Sequence, residues 1–119
     1  MTDKICVWLT RHELLPEIEE RLLLLGYKIH RTTEYTFKSG EHAWALANDI
    51  AGRPLTPDDA VFGILPTAFL SSYLELSGDV PLVRPIFNIV ERTENNIVRK
   101  WAGRFIRTLK VEIITEEWS

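Results

Sequence analysis

The feature that most constrains the fold is a strand-then-helix pattern that occurs three times in the first 78 residues. The strand-like stretches are residues 5–10, 27–30 and 60–65, and the helix-like stretches are residues 16–25, 39–52 and 66–78. A continuous apolar run of about six residues is typical of a strand covered on both faces, as in a parallel sheet. Strands that alternate with helices through short connections predict a mainly parallel α/β sheet with right-handed crossovers and helices on both faces.

The ends of the predicted helices carry residues that start or stop helices. Pro16 suits a first helical position, Ser39 suits a helix start, and Gly26 suits the residue that follows a helix. In the first helix, Leu23 and Leu24 extend the apolar surface beyond the predicted inner face. We expect these two leucines to belong to the core, and the alternative is a contact between subunits.

The last third of the chain departs from this pattern. Residues 80–90 look extended, and Pro81 and Pro85 within them favour an edge or irregular strand. Residues 91–96 resemble a turn, and residues 97–114 alternate well enough for one or two more strands. The short turn predicts a C-terminal antiparallel extension of the sheet.

Length and composition favour one α/β domain over residues 1–119, because the 45% hydrophobic content of 119 residues supplies one core. The 14 basic and 17 acidic residues give a net charge of −3, which disfavours non-specific binding to duplex DNA. Cys6 is the single cysteine, and its apolar neighbours predict a buried thiol. The polar residues 1–4 and the lack of an apolar run of about 20 residues lead us to expect a cytoplasmic protein without membrane contact.

Polar residues follow each predicted strand at the edge where open α/β sheets bind their ligands. Helices also begin at this edge, and their N-termini attract anions. We therefore expect a phosphate-bearing or carboxylate-bearing ligand there, and the alternative is that these are ordinary solvated loop residues. The candidate ligand-binding residues are Thr10, Arg31, Thr32, Lys38, Pro66, Thr67 and Arg84, and the candidate catalytic residues are Arg11 and His12.

The chemistry of the two catalytic candidates favours work on a phosphate. His12 can exchange a proton near neutral pH, and Arg11 can hold or stabilise a phosphate. The chain has no GxGxxG, GxxxxGK[ST], GxSxG or HExxH motif, so we expect neither a metal nor a cofactor. The most basic stretch, residues 99–107, suits contact with phosphate or RNA, or alternatively an edge strand protected by its charge.

Two short motifs, TRHELLP at residues 10–16 and GILPTA at residues 63–68, resemble those of the small CRISPR-associated ring nucleases. Those proteins are Rossmann-like and are related to the sensor domains of type III CRISPR systems. Many of them carry a threonine before the proline, where this chain has Leu15. The resemblance implies a Rossmann-like three-layer fold and a cytoplasmic homodimer that binds cyclic oligoadenylate and cleaves it without metal in antiviral signalling.

The same resemblance implies that Thr10, Arg11 and His12 form the active edge and that Pro66 and Thr67 shape the pocket. Two other functions remain open from the sequence. One is a non-catalytic module that binds a nucleotide or another anion at the same edge. The other is an interaction protein that uses its apolar helix surface and C-terminal strands to form oligomers.

Overall fold

A computed structural model describes residues 3–10, 13–32, 36–109 and 115–118, which include three helices and six strands. The strands are β1 (Lys4–Trp8), β2 (Tyr27–Arg31), β3 (Ala60–Phe62), β4 (Leu82–Thr93), β5 (Asn96–Thr108) and β6 (Thr115–Trp118). The helices are α1 (Pro16–Leu24), α2 (Gly40–Ala51) and α3 (Thr67–Ser77). Within these ranges, no helix is long and apolar enough to cross a membrane.

The six strands form one mixed sheet in the order β2-β1-β3-β4-β5-β6. The pairs β1–β2, β1–β3 and β3–β4 are parallel, whereas β4–β5 and β5–β6 are antiparallel. The predicted α/β class, with a parallel sheet and a C-terminal antiparallel extension, is confirmed. The expectation of an edge or irregular strand at residues 80–90 is confirmed in its second form, because the pairing of β4 with β5 is irregular after Pro85 and again after Ile89. Only Leu82 and Val83 of β4 lie between two strands, since β3 pairs with no other residue of β4.

Strand β1 is buried on both of its faces, as its continuous apolar run predicts. Val7 belongs to a core cluster with side chains of α2 and α3, and Trp8 belongs to a second cluster with Ile18 and Leu22 of α1. Cys6 lies in the second cluster and is fully buried, which confirms the prediction for its thiol. Burial raises the pKa of this thiol far above its usual range, so Cys6 is a packing residue.

The first helix has a narrower inner face than the sequence suggests. Ile18 and Leu22 are fully buried, whereas Leu23 and Leu24 are 55% and 79% exposed. The expectation that these two leucines belong to the core is therefore wrong. Residues 23 and 24 follow Leu22 around the helix by about 100° each, which turns them away from the sheet.

Helix α2 begins and ends at the residues that the sequence indicates. The Oγ of Ser39 accepts a hydrogen bond of 3.0 Å from the backbone N–H of His42, and Gly52 ends the helix with a φ of 76°. The first residue of the helix, Gly40, is buried against α3. A Cβ atom at this position would lie 2.6 Å from the backbone nitrogen of Tyr73, so only glycine allows the two helices to approach this closely.

A buried carboxylate fixes the amino end of the sheet. Asp59 is fully buried; its Oδ1 accepts a 2.8 Å hydrogen bond from the N–H of Ile5, and its Oδ2 lies 2.8 Å from a guanidinium nitrogen of Arg53. The N–H of Thr56 also donates to Asp59 Oδ2, at 2.8 Å. Burial alone would raise the pKa of Asp59, but the hydrogen bonds from Arg53, Ile5 and Thr56 outweigh it and lower the pKa to about 2.

Strands β4 and β5 form a hairpin, and each is longer than any other described strand of the sheet. Strand β4 pairs with β3 only at Leu82 and Val83, and β5 pairs with β6 only at residues 105–108. Among the strands that the structure describes, residues 84–104 therefore pair only within the β4–β5 hairpin, and with neither β3 nor β6. Because β4 runs parallel to β1 and β3, this segment, the projecting hairpin, extends beyond the carboxyl ends of the parallel strands.

Candidate functional site

A cleft of about 430 Å³ lies where the carboxyl ends of β1 and β3 meet the base of the projecting hairpin. Its volume falls within the range of about 300–1,000 Å³ that is usual for small-molecule sites. The described residues that line it are Thr10, Gly63, Ile64, Arg84, Pro85, Ile86, Phe87, Ile89, Arg99 and Ile106. The lining is mainly apolar and carries two guanidinium groups.

The floor of the cleft is built by the residues that follow β1 and β3. The N–H of Leu9 donates to the carbonyl of Phe62 at 2.7 Å, and the N–H of Gly63 donates to the carbonyl of Val83 at 3.0 Å. These bonds continue the parallel pairing up to the rim. A Cβ atom on Gly63 would lie 3.1 Å from the carbonyl oxygen of Leu9, so the residue must be small for the two loops to meet.

The wall of the cleft comes from both faces of the projecting hairpin. Arg84 lies opposite Ile106 on one face, and Ile89 lies opposite Arg99 on the other. The pairing is irregular between them, where Gly103 adopts a left-handed φ of 76°. Irregularities of this kind bend and twist a strand pair. We infer that this twist brings residues from both faces of the hairpin to one cleft.

The base of the hairpin is held against α1. The guanidinium of Arg21 donates to the carbonyl of Gly103 at 3.3 Å and lies 5.3 Å from the ring centroid of Trp101. The indole N–H of Trp101 donates to the carbonyl of Arg104 at 3.2 Å. Trp101 and Trp118 both pack against the α1 side of the core within this chain.

The charged groups of the cleft are both positive. Arg84 and Arg99 are exposed to solvent, and neither forms an ion pair with any residue that the structure describes. A second cavity of about 280 Å³ shares Gly63, Ile64 and Arg84 with the cleft, so Arg84 lines two adjoining cavities. Guanidinium groups bind phosphate or carboxylate through paired hydrogen bonds, and the cleft can therefore hold an anion beside an apolar surface.

The structure brings together two of the residues that the sequence selects. Thr10 and Arg84 both line the cleft, although 74 positions separate them in the chain. Arg11 and His12 lie outside the described residues, and so do residues 33–35. The positions of Arg11 and His12 relative to the cleft therefore remain a prediction.

The other selected residues lie on the same side of the sheet but do not line the cleft that the described residues form. Arg31 ends β2, two strands away from β3, and is exposed. Lys38 precedes the first turn of α2, and its N–H donates to Nδ1 of His42 at 3.1 Å. Pro66 and Thr67 begin α3.

Sequence reasoning missed most of the apolar lining. Ile64, Phe87 and Ile106 have no sequence signal of their own, because apolar residues in strands usually indicate a core. The length of the two alternating segments around the turn at Glu94 and Asn95 is the one signal that indicates a hairpin. Arg99 belongs to the basic stretch that the sequence links to phosphate, and the structure now places it in the cleft.

Comparisons with protein-family models, with curated proteins and with solved structures all found no match. The geometry of the cleft is therefore the structural feature that bears on function. Within the described ranges, no three histidine, cysteine, aspartate or glutamate side chains lie close enough to hold a metal ion.

Proposed function

We propose that this chain is a Rossmann-like three-layer domain that binds a phosphate-bearing nucleotide in the cleft at the carboxyl edge of its sheet. The observation that carries the proposal is the pair of arginines, Arg84 and Arg99, in the lining of a mainly apolar cleft. The phosphate of a nucleotide would bind the two arginines, and its nucleobase would pack on the apolar lining and on the aromatic ring of Phe87. A ligand with only a phosphate would leave the apolar lining without a contact, and a ligand with only a nucleobase would leave the arginines without one.

Cyclic oligoadenylate is the nucleotide that we propose, in a cytoplasmic homodimer that serves CRISPR antiviral signalling. The motifs at residues 10–16 and 63–68 support this choice, because they meet at the cleft through Thr10, Gly63 and Ile64. A ring of adenylates presents phosphates at regular intervals. A two-fold dimer duplicates one basic cleft and so suits a symmetric ligand of this kind.

The proposed reaction is metal-independent cleavage of a phosphodiester bond. The ribose 2′-oxygen attacks the adjacent phosphorus, the bond from phosphorus to the 5′-oxygen breaks, and a 2′,3′-cyclic phosphate and a 5′-hydroxyl result. His12 accepts or returns the proton, and Arg11 stabilises the developing negative charge. The cleft contributes by aligning the 2′-oxygen with the leaving oxygen.

A second function, a non-catalytic nucleotide-binding or anion-binding module, is favoured by one observation. The described lining of the cleft contains arginines and a threonine but no histidine, carboxylate, lysine or cysteine to transfer a proton. Catalysis in the proposal depends on Arg11 and His12 alone. Binding depends on Arg84 and Arg99, so the two functions separate by mutation.

The deciding experiment incubates the purified protein with cyclic oligoadenylates of several ring sizes, with and without a chelator. We expect turnover that persists in the chelator and is lost in Arg11→Ala and His12→Ala. Binding measured by calorimetry should weaken at least about tenfold in Arg84→Gln and Arg99→Gln, since a hydrogen bond to a charged group contributes about 1.5–3 kcal/mol. Lys100→Gln is the matched control, because it removes the same charge from the same hairpin outside the cleft lining.

Each outcome of this experiment supports or overturns one of the two proposed functions or the cleft as the binding site. Tight binding without products supports the non-catalytic module and overturns the nuclease. Binding that Lys100→Gln weakens as much as Arg99→Gln indicates attraction by overall charge, which overturns the cleft as the site. If no cyclic oligoadenylate binds, the proposed function is wrong.

A further inference from the structure

The projecting hairpin has no third strand beside its outer part. From residue 87 to residue 93, β4 pairs with β5 on one side, and no strand that the structure describes lies on the other. A two-stranded hairpin alone is marginally stable in water. An open edge of this length presents a row of N–H and C=O groups that pair readily with another strand.

Four exposed aliphatic residues surround this open edge. Their exposed fractions are 47% for Ile89, 57% for Val90, 46% for Ile97 and 39% for Val98. The four residues are divided between the two faces of the hairpin. Ile89 lies opposite Arg99, so these two side chains share a face of the hairpin. Ile97 is two residues from Arg99 in β5 and therefore lies on the same face as Ile89.

The two valines occupy the other face. The pairing is irregular between Ile89 and Glu91, which places Val90 beside Glu91 and across from Val98. A partner that docked on one face of the hairpin would leave the aliphatic pair of the other face in water. A strand added at the open edge would cover part of both pairs.

The charges along the hairpin indicate how such a strand would run. Arg84 and Arg104 lie at the base, and Arg99 and Lys100 lie midway along the hairpin, opposite Ile89 and Asn88. The two acidic residues of the hairpin, Glu91 and Glu94, lie toward the turn together with Arg92. Two hairpins aligned base to base would bring their cations together. Antiparallel alignment places the acidic residues of each hairpin beside the middle and base of the other, and an antiparallel pair of this kind has two-fold symmetry.

We propose that residues 87–93 of β4 pair with the same residues of a second copy of this chain, antiparallel, about a two-fold axis near Val90. The occupant of the open edge is thus the same edge of another molecule. The result is a homodimer with a four-stranded ribbon in the order β5-β4-β4-β5. This inference rests on the homodimer of the proposed function but not on its ligand.

The first test is sedimentation equilibrium of the protein without nucleotide. We expect a dimer for the natural sequence and at least about a tenfold weaker dimer for Val90→Lys, which places two charges near the axis. Leu24→Lys is the control, because Leu24 is an aliphatic residue with 79% exposure on α1. A monomeric natural protein, or a dimer that Leu24→Lys weakens and Val90→Lys does not, would overturn the inference.

The second test traps the dimer and does not depend on charge. Cys6 is the single cysteine and is fully buried, so a cysteine introduced at the surface is the one thiol that reacts. Val90→Cys treated with a short bis-maleimide should give a covalent dimer, and Leu24→Cys should give no covalent dimer on a denaturing gel. The reverse result would place the contact on α1.

Calorimetry with cyclic oligoadenylate, run on the same variants, separates the two proposals. A dimer trapped through Val90→Cys that binds no nucleotide supports the interface and overturns the proposed function. Nucleotide binding by a protein that Val90→Cys fails to trap overturns the interface and leaves the cleft as the site.

Discussion

The two ends of β4 belong to regions with opposite character. At its start, Leu82 and Val83 are 3% and 1% exposed and pair with β3 inside the body of the sheet. At its end, Arg92 and Thr93 are exposed on both faces of the projecting hairpin. The body holds the buried apolar side chains that stabilise the fold, and the hairpin holds the cations and the open edge that suit binding. The cleft lies at the boundary between the two regions.

Removing a large side chain from the body should have the largest effect on stability. Phe62 is fully buried, with its ring centroid 5.4 Å from that of Trp8 and 5.0 Å from that of Phe105. Phe62→Ala should lower the free energy of unfolding by about 4 kcal/mol, because it removes these contacts and leaves a cavity. Ile97→Ala on the hairpin should change it by less than about 0.5 kcal/mol in the monomer.

Chemical denaturation of both variants, followed by tryptophan fluorescence at a concentration that keeps the protein monomeric, measures this difference. Equal losses in the two variants would show that Ile97 contributes as much buried packing as Phe62. The division into two regions would then be wrong.

The ion pair between buried Asp59 and partly exposed Arg53, at the amino end of the sheet, should give the next largest effect. Asp59→Asn should lower the free energy of unfolding by about 3 kcal/mol, because breaking a buried pair leaves its partners unsatisfied. Asn also cannot accept all the hydrogen bonds that Arg53, Ile5 and Thr56 donate to the carboxylate.

The same carboxylate predicts a pH dependence. The pKa of Asp59 falls from its ordinary 3.8 to about 2 in the folded protein. Its contribution is therefore complete above a pH of about 4 and is lost as the pH falls through about 2, for a total of about 2 kcal/mol. Denaturation curves between these pH values should show this loss in the natural protein, and Asp59→Asn should lack it. A parallel decline in both proteins would assign the acid sensitivity to other carboxylates.

Two glycines allow a smaller test, because each is required for a different reason. Gly40→Ala should lower the free energy of unfolding by about 2 kcal/mol, since the new Cβ forces α2 away from α3 despite the better helix propensity of alanine. Gly103→Ala meets no atom within 4 Å, and its φ of 76° leaves backbone strain of about 1 kcal/mol. Thermal unfolding compares them, and a larger loss for Gly103→Ala would contradict the close contact of the two helices.

The body of the fold could be predicted from the sequence because its signals are local. The apolar run at residues 5–10, Pro16 at a helix start and the glycines after α2 and α3 each specify a short segment without reference to the rest. The hairpin could not be predicted in the same way. Its extension beyond the sheet depends on where β3 and β6 stop pairing with it, and those limits are long-range properties.

The residues of the candidate site likewise fall into those that could be predicted from the sequence and those that could not. Thr10 could be selected because it follows β1 at the carboxyl edge, and Arg84 because the predicted fourth strand brings it to the same edge. Phe87 and Ile106 reach the cleft through the irregular pairing near Gly103, which alternation does not reveal. Asp59 also lacked a signal, because its role depends on the N–H of Ile5, 54 residues earlier in the chain.

The smallest effect on stability should come from the residue that matters most for binding. Arg99 is exposed on the hairpin and forms no ion pair with a described residue, so Arg99→Gln should change the free energy of unfolding by less than about 0.5 kcal/mol. The same substitution should weaken nucleotide binding at least about tenfold, because it removes a charged donor from the cleft. Denaturation and calorimetry on one preparation measure both quantities. A stability loss as large as that of Gly40→Ala would mean that Arg99 supports the fold, and its place in the cleft would then say little about a ligand.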